Sequence, residues 1–257
     1  MIEVSSDLLQ AWISGLFIPL SRILGFFAVV PLLGEKAISI PVKIGLALML
    51  TLIVAQLIPT MPFVDLLSIQ GLLVIAQQMI VGLALGLTVR IIFAAVDLAG
   101  QVSGLLMGFG FASFLNPESG ASETAIATMF STAAMLVFVC MDGHLMLITA
   151  LVESFYNLPL DQGVGNLSGM NIASMGSEIF NTGLQLAMPV VAIMLITNMA
   201  LAVLTRAAPQ LNIFGIGFPV TLMVGMLMVA LMLPSLVEPF QRLIEHSVRE
   251  MEQVLKK

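Results

Sequence analysis

The chain has 257 residues, of which 59% are hydrophobic and only 9% charged, with a mean hydropathy of +1.10; soluble domains carry about 25% charged residues, so a soluble globular class is excluded. Fifteen acids against nine Lys and Arg give a formal charge of -6, and the scattered bases make no cationic field for nucleic acid. One cysteine, Cys140, lies in the apolar run 135–141, which rules out an intrachain disulfide or a Cys-based metal site and reads as core packing.

Crossing a hydrocarbon core of roughly 30 Å takes about 20 mostly apolar residues. Six stretches meet or approach that length, at about 8–33, 38–58, 66–95, 126–152, 182–204 and 213–236. The N-terminus carries two acids and no base before its first apolar stretch, the wrong charge for a signal peptide, so the first helix is expected to be retained. The Pro31–Ala37 break and the Ile58–Asp65 break are short and imply antiparallel hairpins, with Asp65 placed to cap the helix that follows. Two longer polar regions interrupt this rhythm, residues 98–125 and Asn157–Asn181, and loops of this kind concentrate function. No linker separates domains, so residues 1–257 read as one all-α unit, ending in an amphipathic helix over 237–257. There Phe240, Leu243, Ile244, Val248, Met251 and Leu255 share a face, as in an interfacial anchor or a docking helix.

Charge gives a contradictory orientation. Lys36 and Lys43 flank the first loop, Arg90 precedes the third and Arg206 begins the fifth, while the second and fourth loops have no base. Odd loops therefore belong in the cytoplasm. Six spans would then put the C-terminus outside, yet the tail holds Arg242, Arg249, Lys256 and Lys257. Either one stretch does not cross, or the helices are not ordinary bilayer spans. Leu98–Leu115, apolar but broken by Gly100, Gly104, Gly108 and Gly110, is a candidate re-entrant or cavity-lining element.

Gly100, Gly104 and Gly108 recur every four residues, as do Gly82 and Gly86, so two helix faces allow close backbone approach, within the chain or with another subunit. Next, Phe109, Phe111 and Phe114 alternate with small residues, including Gly110, before the turn at Asn116-Pro117 and the acid Glu118. This run fits a packed re-entrant turn or a loop that plugs an apolar constriction. Arg22, Arg90 and Asp97 are charges inside apolar stretches and need either an exit to the interface or a partner across a subunit boundary. Asp142 and His144 read as polar residues at a helix break near Gly143, because a metal site needs three or four ligands and the other histidine is the distant His246. The 19 methionines, crowded at Met223, Met226, Met228 and Met232, fit adaptable packing or a compliant seal. No Gly-x-Ser-x-Gly, P-loop or His-Glu-x-x-His motif is present, so no catalytic residue, enzyme activity, cofactor or metal is expected.

The run Arg206-Ala-Ala-Pro209-Gln210-Leu-Asn212-Ile-Phe-Gly-Ile-Gly-Phe-Pro219 is a compact polar hinge between two apolar helices. With Arg22, Pro31, Pro41 and the Asn116-Pro117-Glu118 turn, it resembles the FliR family of type III secretion export-gate proteins, over essentially the whole chain. The resemblance implies an all-α set of hydrophobic hairpins, like a fused FliP-like and FliQ-like unit, in the bacterial inner membrane at the flagellar basal body. It implies a single copy gathered with FliP-like and FliQ-like subunits, served by FlhB-like and FlhA-like components and passing unfolded flagellar subunits. Its helices would face protein more than membrane lipid, which would also remove the charge contradiction. It makes Phe109 to Glu118 a channel plug, and Arg206, Pro209, Gln210 and Asn212 a structural hinge. The alternative is a stand-alone small-solute secondary transporter, which would need polar groups at mid-membrane in both halves of an internal repeat. No such repeat is visible.

Overall fold

A computed structural model of the protein describes residues 6–31, 38–57, 65–66, 68–110, 124–158, 172–209 and 213–255. Every regular element among them is helical. The helices are α1 (Ser6–Val29), α2 (Ile40–Leu57), α3 (Ile69–Leu106), α4 (Ala125–Cys140), α5 (Gly143–Asn157), α6 (Ile172–Ala207), α7 (Phe218–Met232) and α8 (Val237–Leu255). A π-helical turn, Ile213–Gly217, leads into α7, and a 3-10 turn, Leu233–Leu236, joins α7 to α8.

Several boundaries differ from the apolar pattern. Capping of α3 falls to Ser68, whose Oγ accepts the Gly71 N–H at 3.0 Å, three residues beyond the expected Asp65. α3 then runs through the supposed re-entrant stretch as far as Leu106. Its polar side chains bond along the helix: Gln101 to Asp97 four residues back, and the Ser103 hydroxyl to the Ala99 carbonyl at 2.7 Å. α6 starts at Ile172, so the last ten residues of the supposed loop Asn157–Asn181 are helical. The packed part of α6 follows them: Gly183 lies against the Ala95 carbonyl, and Leu186, Ala187 and Val190 are buried.

The stretch 126–152 is two helices. Asp142 takes a left-handed φ of 56°, which Asp tolerates better than most residues. Its carbonyl then accepts the N–H groups of Leu145 and Met146. The break expected at Gly143 thus sits one residue earlier. Among the described residues four helical segments are long and apolar enough to cross a membrane, or five if α4 and α5 count as one bent span. α1 offers a shorter apolar stretch, Ile13–Val29. Among the described residues the six apolar stretches therefore appear as spans of unequal length.

The helices group into two compact units. Unit 1 is Met1–Arg90, Asp142–Ile172 and Ile244–Lys257; unit 2 is Ile91–Met141 and Ala173–Leu243. In unit 1, α1 packs on α2 and touches α3 backbone to backbone. A Cβ on Gly25 would stand 2.5 Å from the Met79 carbonyl oxygen, one on Gly82 would collide with that of Arg22, and one on Gly86 would lie 3.0 Å from that of Phe26. Ile18, Ile23, Phe26, Leu85 and Leu151 are fully buried in this unit. Unit 2 has its own core of Val96, Met107, Phe130, Ala187, Met194, Val229 and Phe240. Phe93 and Phe138 meet edge to face at 5.6 Å.

Candidate functional site

The two described flanks of the aromatic run, the end of α3 and the start of α4, both lie in unit 2. On the near side α3 ends in a turn at Met107–Phe109. Gly108 has φ +94°, a value that favours glycine, and its open face lies against the Phe218 ring, which an added Cβ would approach to 3.1 Å. Two further residues of the same α7 face hold this turn. The single Thr221 hydroxyl proton is shared between the Phe218 carbonyl of its own helix at 2.9 Å and the Met107 carbonyl at 3.3 Å. Gly225 leaves room for the fully buried Met107 side chain, whose Cγ would stand 2.5 Å from a Cβ there. Phe218, Thr221 and Gly225 follow the i, i+3, i+7 spacing of one helix face. Phe109 is half-buried against the unit 2 core, and Gly110 is half-buried beside it.

On the far side Thr124 caps α4, accepting the Ala127 N–H at 3.2 Å. The same threonine fills the space a Cβ on Gly104 would need, and a Cβ on Gly100 would reach within 2.5 Å of the Ala127 Cα. The glycine row of α3 thus serves packing within the chain, with Gly108 spent on the turn. Phe111, Phe114, Asn116, Pro117 and Glu118 lie outside the described residues.

A second polar arrangement sits in unit 1. Arg22 is fully buried. Its Nε donates to Gln78 Oε1 at 2.7 Å, Nη1 to the Ser154 carbonyl at 2.8 Å and Ser154 Oγ at 3.2 Å, and Nη2 to the Leu158 carbonyl at 2.9 Å. The guanidinium also lies 4.4 Å from the centre of the Phe155 ring. This corrects both expectations for Arg22. It neither reaches the interface nor waits for another subunit, because α3 and the C-terminal end of α5 supply its acceptors. Cations are favoured where a helix exposes its last carbonyls. Sequence reasoning missed Gln78 and Ser154. The Gln77-Gln78 pair inside an apolar run was the available signal for one; nothing marked the other.

The remaining candidates are placed less closely. Arg90 is exposed, and Asp97 is half-buried, accepting from Gln101 and Ser131. Arg206 and Pro209 are exposed at the end of α6, while Gln210 and Asn212 lie outside the described residues. Cys140, expected in the core, is exposed at the end of α4. His144 Nδ1 is buried without a partner. Among the described residues no group of three or more His, Cys, Asp or Glu could hold a metal ion. Of the crowded methionines Met232 is buried, whereas Met223 and Met226 are exposed. The tail helix α8 buries Phe240 and Ile244, and its outer face carries the i, i+4 pairs Glu238–Arg242 and Glu245–Arg249. Those two apolar side chains are covered by the chain's own residues, where an anchor would bury them in lipid.

Residues 13–247 match the family model described as bacterial export proteins, family 1. The chain is 39% identical over 241 residues to a protein called flagellar biosynthetic protein FliR from Pectobacterium carotovorum, covering 93% of this chain and 92% of that one. It has the same identity and coverage with its namesake in Escherichia coli K12. With the one in Bacillus subtilis it is 30% identical over 211 residues, 80% of this chain and 81% of that one.

Proposed function

The chain belongs to family 1 of the bacterial export proteins, and from that premise we propose that it is one subunit of the channel through which unfolded flagellar proteins leave the cell. It is a multi-pass protein of the inner membrane that serves flagellar biosynthesis and protein export. In the proposed assembly a single copy joins FliP-like and FliQ-like subunits, while FlhB-like and FlhA-like components bring substrates to the entrance. The chain does no chemistry itself, and energy for transport comes from other components.

The observation that carries this reading is the double anchoring of the aromatic loop. A plug must hold its position against a pressure of ions, and so needs firm roots. The near root is fixed by Thr221, Phe218 and Gly225, and the far root by Thr124 against Gly104. In this reading Phe109, Gly110, Phe111, Phe114, Asn116, Pro117 and Glu118 close the channel at rest. Arg206, Pro209, Gln210 and Asn212 form a structural hinge near the cytoplasmic entrance. Exposed apolar faces support burial against partners: only 17% of α2 and 28% of an apolar 18-residue stretch of α6 are buried within the chain.

Co-expression with FliP-like and FliQ-like subunits tests the assembly. The chain should be recovered in a multi-subunit complex, and a stable, transporting solitary protein would sink the reading. Trimming residues 110–118 tests the plug, because it should raise ion leakage through the assembled complex. Unchanged leakage would remove that role.

A further inference from the structure

The turn that closes α3 is a helix end held by a residue far along the chain. The Gly108 N–H donates to the Leu105 carbonyl and the Phe109 N–H to the Gly104 carbonyl, both at 3.1 Å. With Gly108 at φ +94°, these two bonds make a Schellman motif. Such a motif is commonly secured by an apolar contact between the residue after the glycine and the last turn of the helix. Here the residues in question are Phe109, Gly104 and Ser103, and Gly104 has no side chain to offer. The apolar cover on Gly108 comes instead from Phe218, the first residue of α7, whose ring an added Cβ would approach to 3.1 Å. Both sides of this contact belong to unit 2.

Phe218 stands at a junction of unequal firmness. After it, α7 is seated by the buried residues Thr221, Gly225, Val229 and Met232. Before it, Ile213–Gly217 is a π-helical turn, a winding that is rare and frequently marks a functional site. Pro219 has no N–H to give the Gly215 carbonyl an α-helical bond, and Gly215 and Gly217 weaken the helical hold further. Ile216 and Phe218 are each 41% exposed, and Phe218 lies outside the unit 2 core. The ring can therefore shift while α7 stays seated.

We propose that the π-helical turn before α7 controls the aromatic loop through Phe218. With the turn wound as observed, the ring covers Gly108 and holds the root of the loop. When the turn rewinds, Phe218 leaves Gly108, the helix end loses its apolar cover, and the loop is free to swing aside. The proposal rests on the plug reading above and adds the element that releases the plug.

The test uses the complex with FliP-like and FliQ-like subunits, reconstituted in vesicles. Phe218→Ala should leave recovery of the complex unchanged and raise resting ion leakage by about fivefold or more. In a chain already trimmed of residues 110–118 it should add nothing, because Phe218 acts through the loop. Deleting Ile216 removes one residue from the π-helical turn and should raise leakage as Phe218→Ala does. Gly215→Ala stiffens an exposed position of the same turn and should slow export at least about twofold without raising leakage; it decides the role of the turn if the deletion prevents assembly. Leakage at the wild-type level in Phe218→Ala, or an increase that adds to that of trimming, would overturn the proposal. So would an assembled Ile216 deletion that does not leak, or unchanged export in Gly215→Ala. If trimming itself leaves leakage unchanged, the plug reading falls and this proposal with it.

Discussion

Replacing Arg22 by methionine keeps a stem of similar length and deletes the guanidinium. Three donor nitrogens disappear from the interior of unit 1. The Ser154 carbonyl still accepts the Leu158 amide at 3.0 Å, so the losses fall mainly on Gln78 Oε1 and the Leu158 carbonyl. Hydrogen bonds to a charged group contribute about 1.5–3 kcal/mol each, so the two lost acceptors cost about 3–6 kcal/mol, of which relief from burying a cation offsets a part. The net is a loss of about 3 kcal/mol, equivalent to a fall in melting temperature of about 6–12 °C for a chain of this size. Arg22→Lys should lose roughly half as much, because one ammonium cannot span acceptors met by three separate nitrogens. Thermal unfolding of the detergent-solubilised chain, followed by size-exclusion chromatography, reads the effect. Combined with Gln78→Leu, the methionine change should cost at least about 1 kcal/mol less than the sum of the two single changes. A melting temperature within about 2 °C of wild type, or strict additivity, would refute the account of Arg22 as the tie between α1, α3 and α5.

Two further substitutions probe the close contacts. Gly225→Val forces Met107 out of its buried position and should cost about 1–3 kcal/mol; if the loop is a plug, ion leakage through the assembled complex should rise as well. Undiminished stability and unchanged leakage would show that α7 does not hold the loop root. Gly82→Ala drives a methyl group into the Arg22 carbonyl, whereas Gly45→Ala on α2 meets nothing within 4 Å. The first should lower the melting temperature, and the second should stabilise the helix by about 0.5–1 kcal/mol. Equal effects would contradict the packing of α1 on α3.

The all-α architecture was legible because runs of about 20 apolar residues admit few other outcomes in a membrane. The first proline-containing break separated two helices that pack on each other, α1 and α2, and the four-residue glycine spacing marked the α3 face that approaches other helices. Polarity misled where helices continued through it. Residues 98–106 and 172–181 look like loop by composition, yet both are helical, and in the first the polar side chains of Gln101 and Ser103 bond along the helix. Arg22 shows the harder limit. Both sequence expectations sent its charge out of the chain, because its acceptors on α5 are backbone carbonyls, which no residue type announces. Of the candidate site the aromatic residues were readable, but the residues holding their root were not: Thr221 and Gly225 are ordinary letters in an apolar helix. Their role comes from meeting a turn more than a hundred residues earlier in the chain.

The reach of the Arg22 contacts along the chain has a consequence for biosynthesis. Gln78 lies 56 residues downstream of Arg22, and Leu158 lies 136 residues downstream. At a synthesis rate of about 5–20 residues per second, the last carbonyl emerges some 7–27 s after the arginine. During that interval α1 carries a cation lacking most of its final partners, and hydrocarbon is a poor place for it to wait. The helix must linger beside water, lipid headgroups or the insertion machinery until α5 arrives. Closure of unit 1 is therefore a late step of translation, and a chain truncated before Ser154 should leave its first helix unsettled.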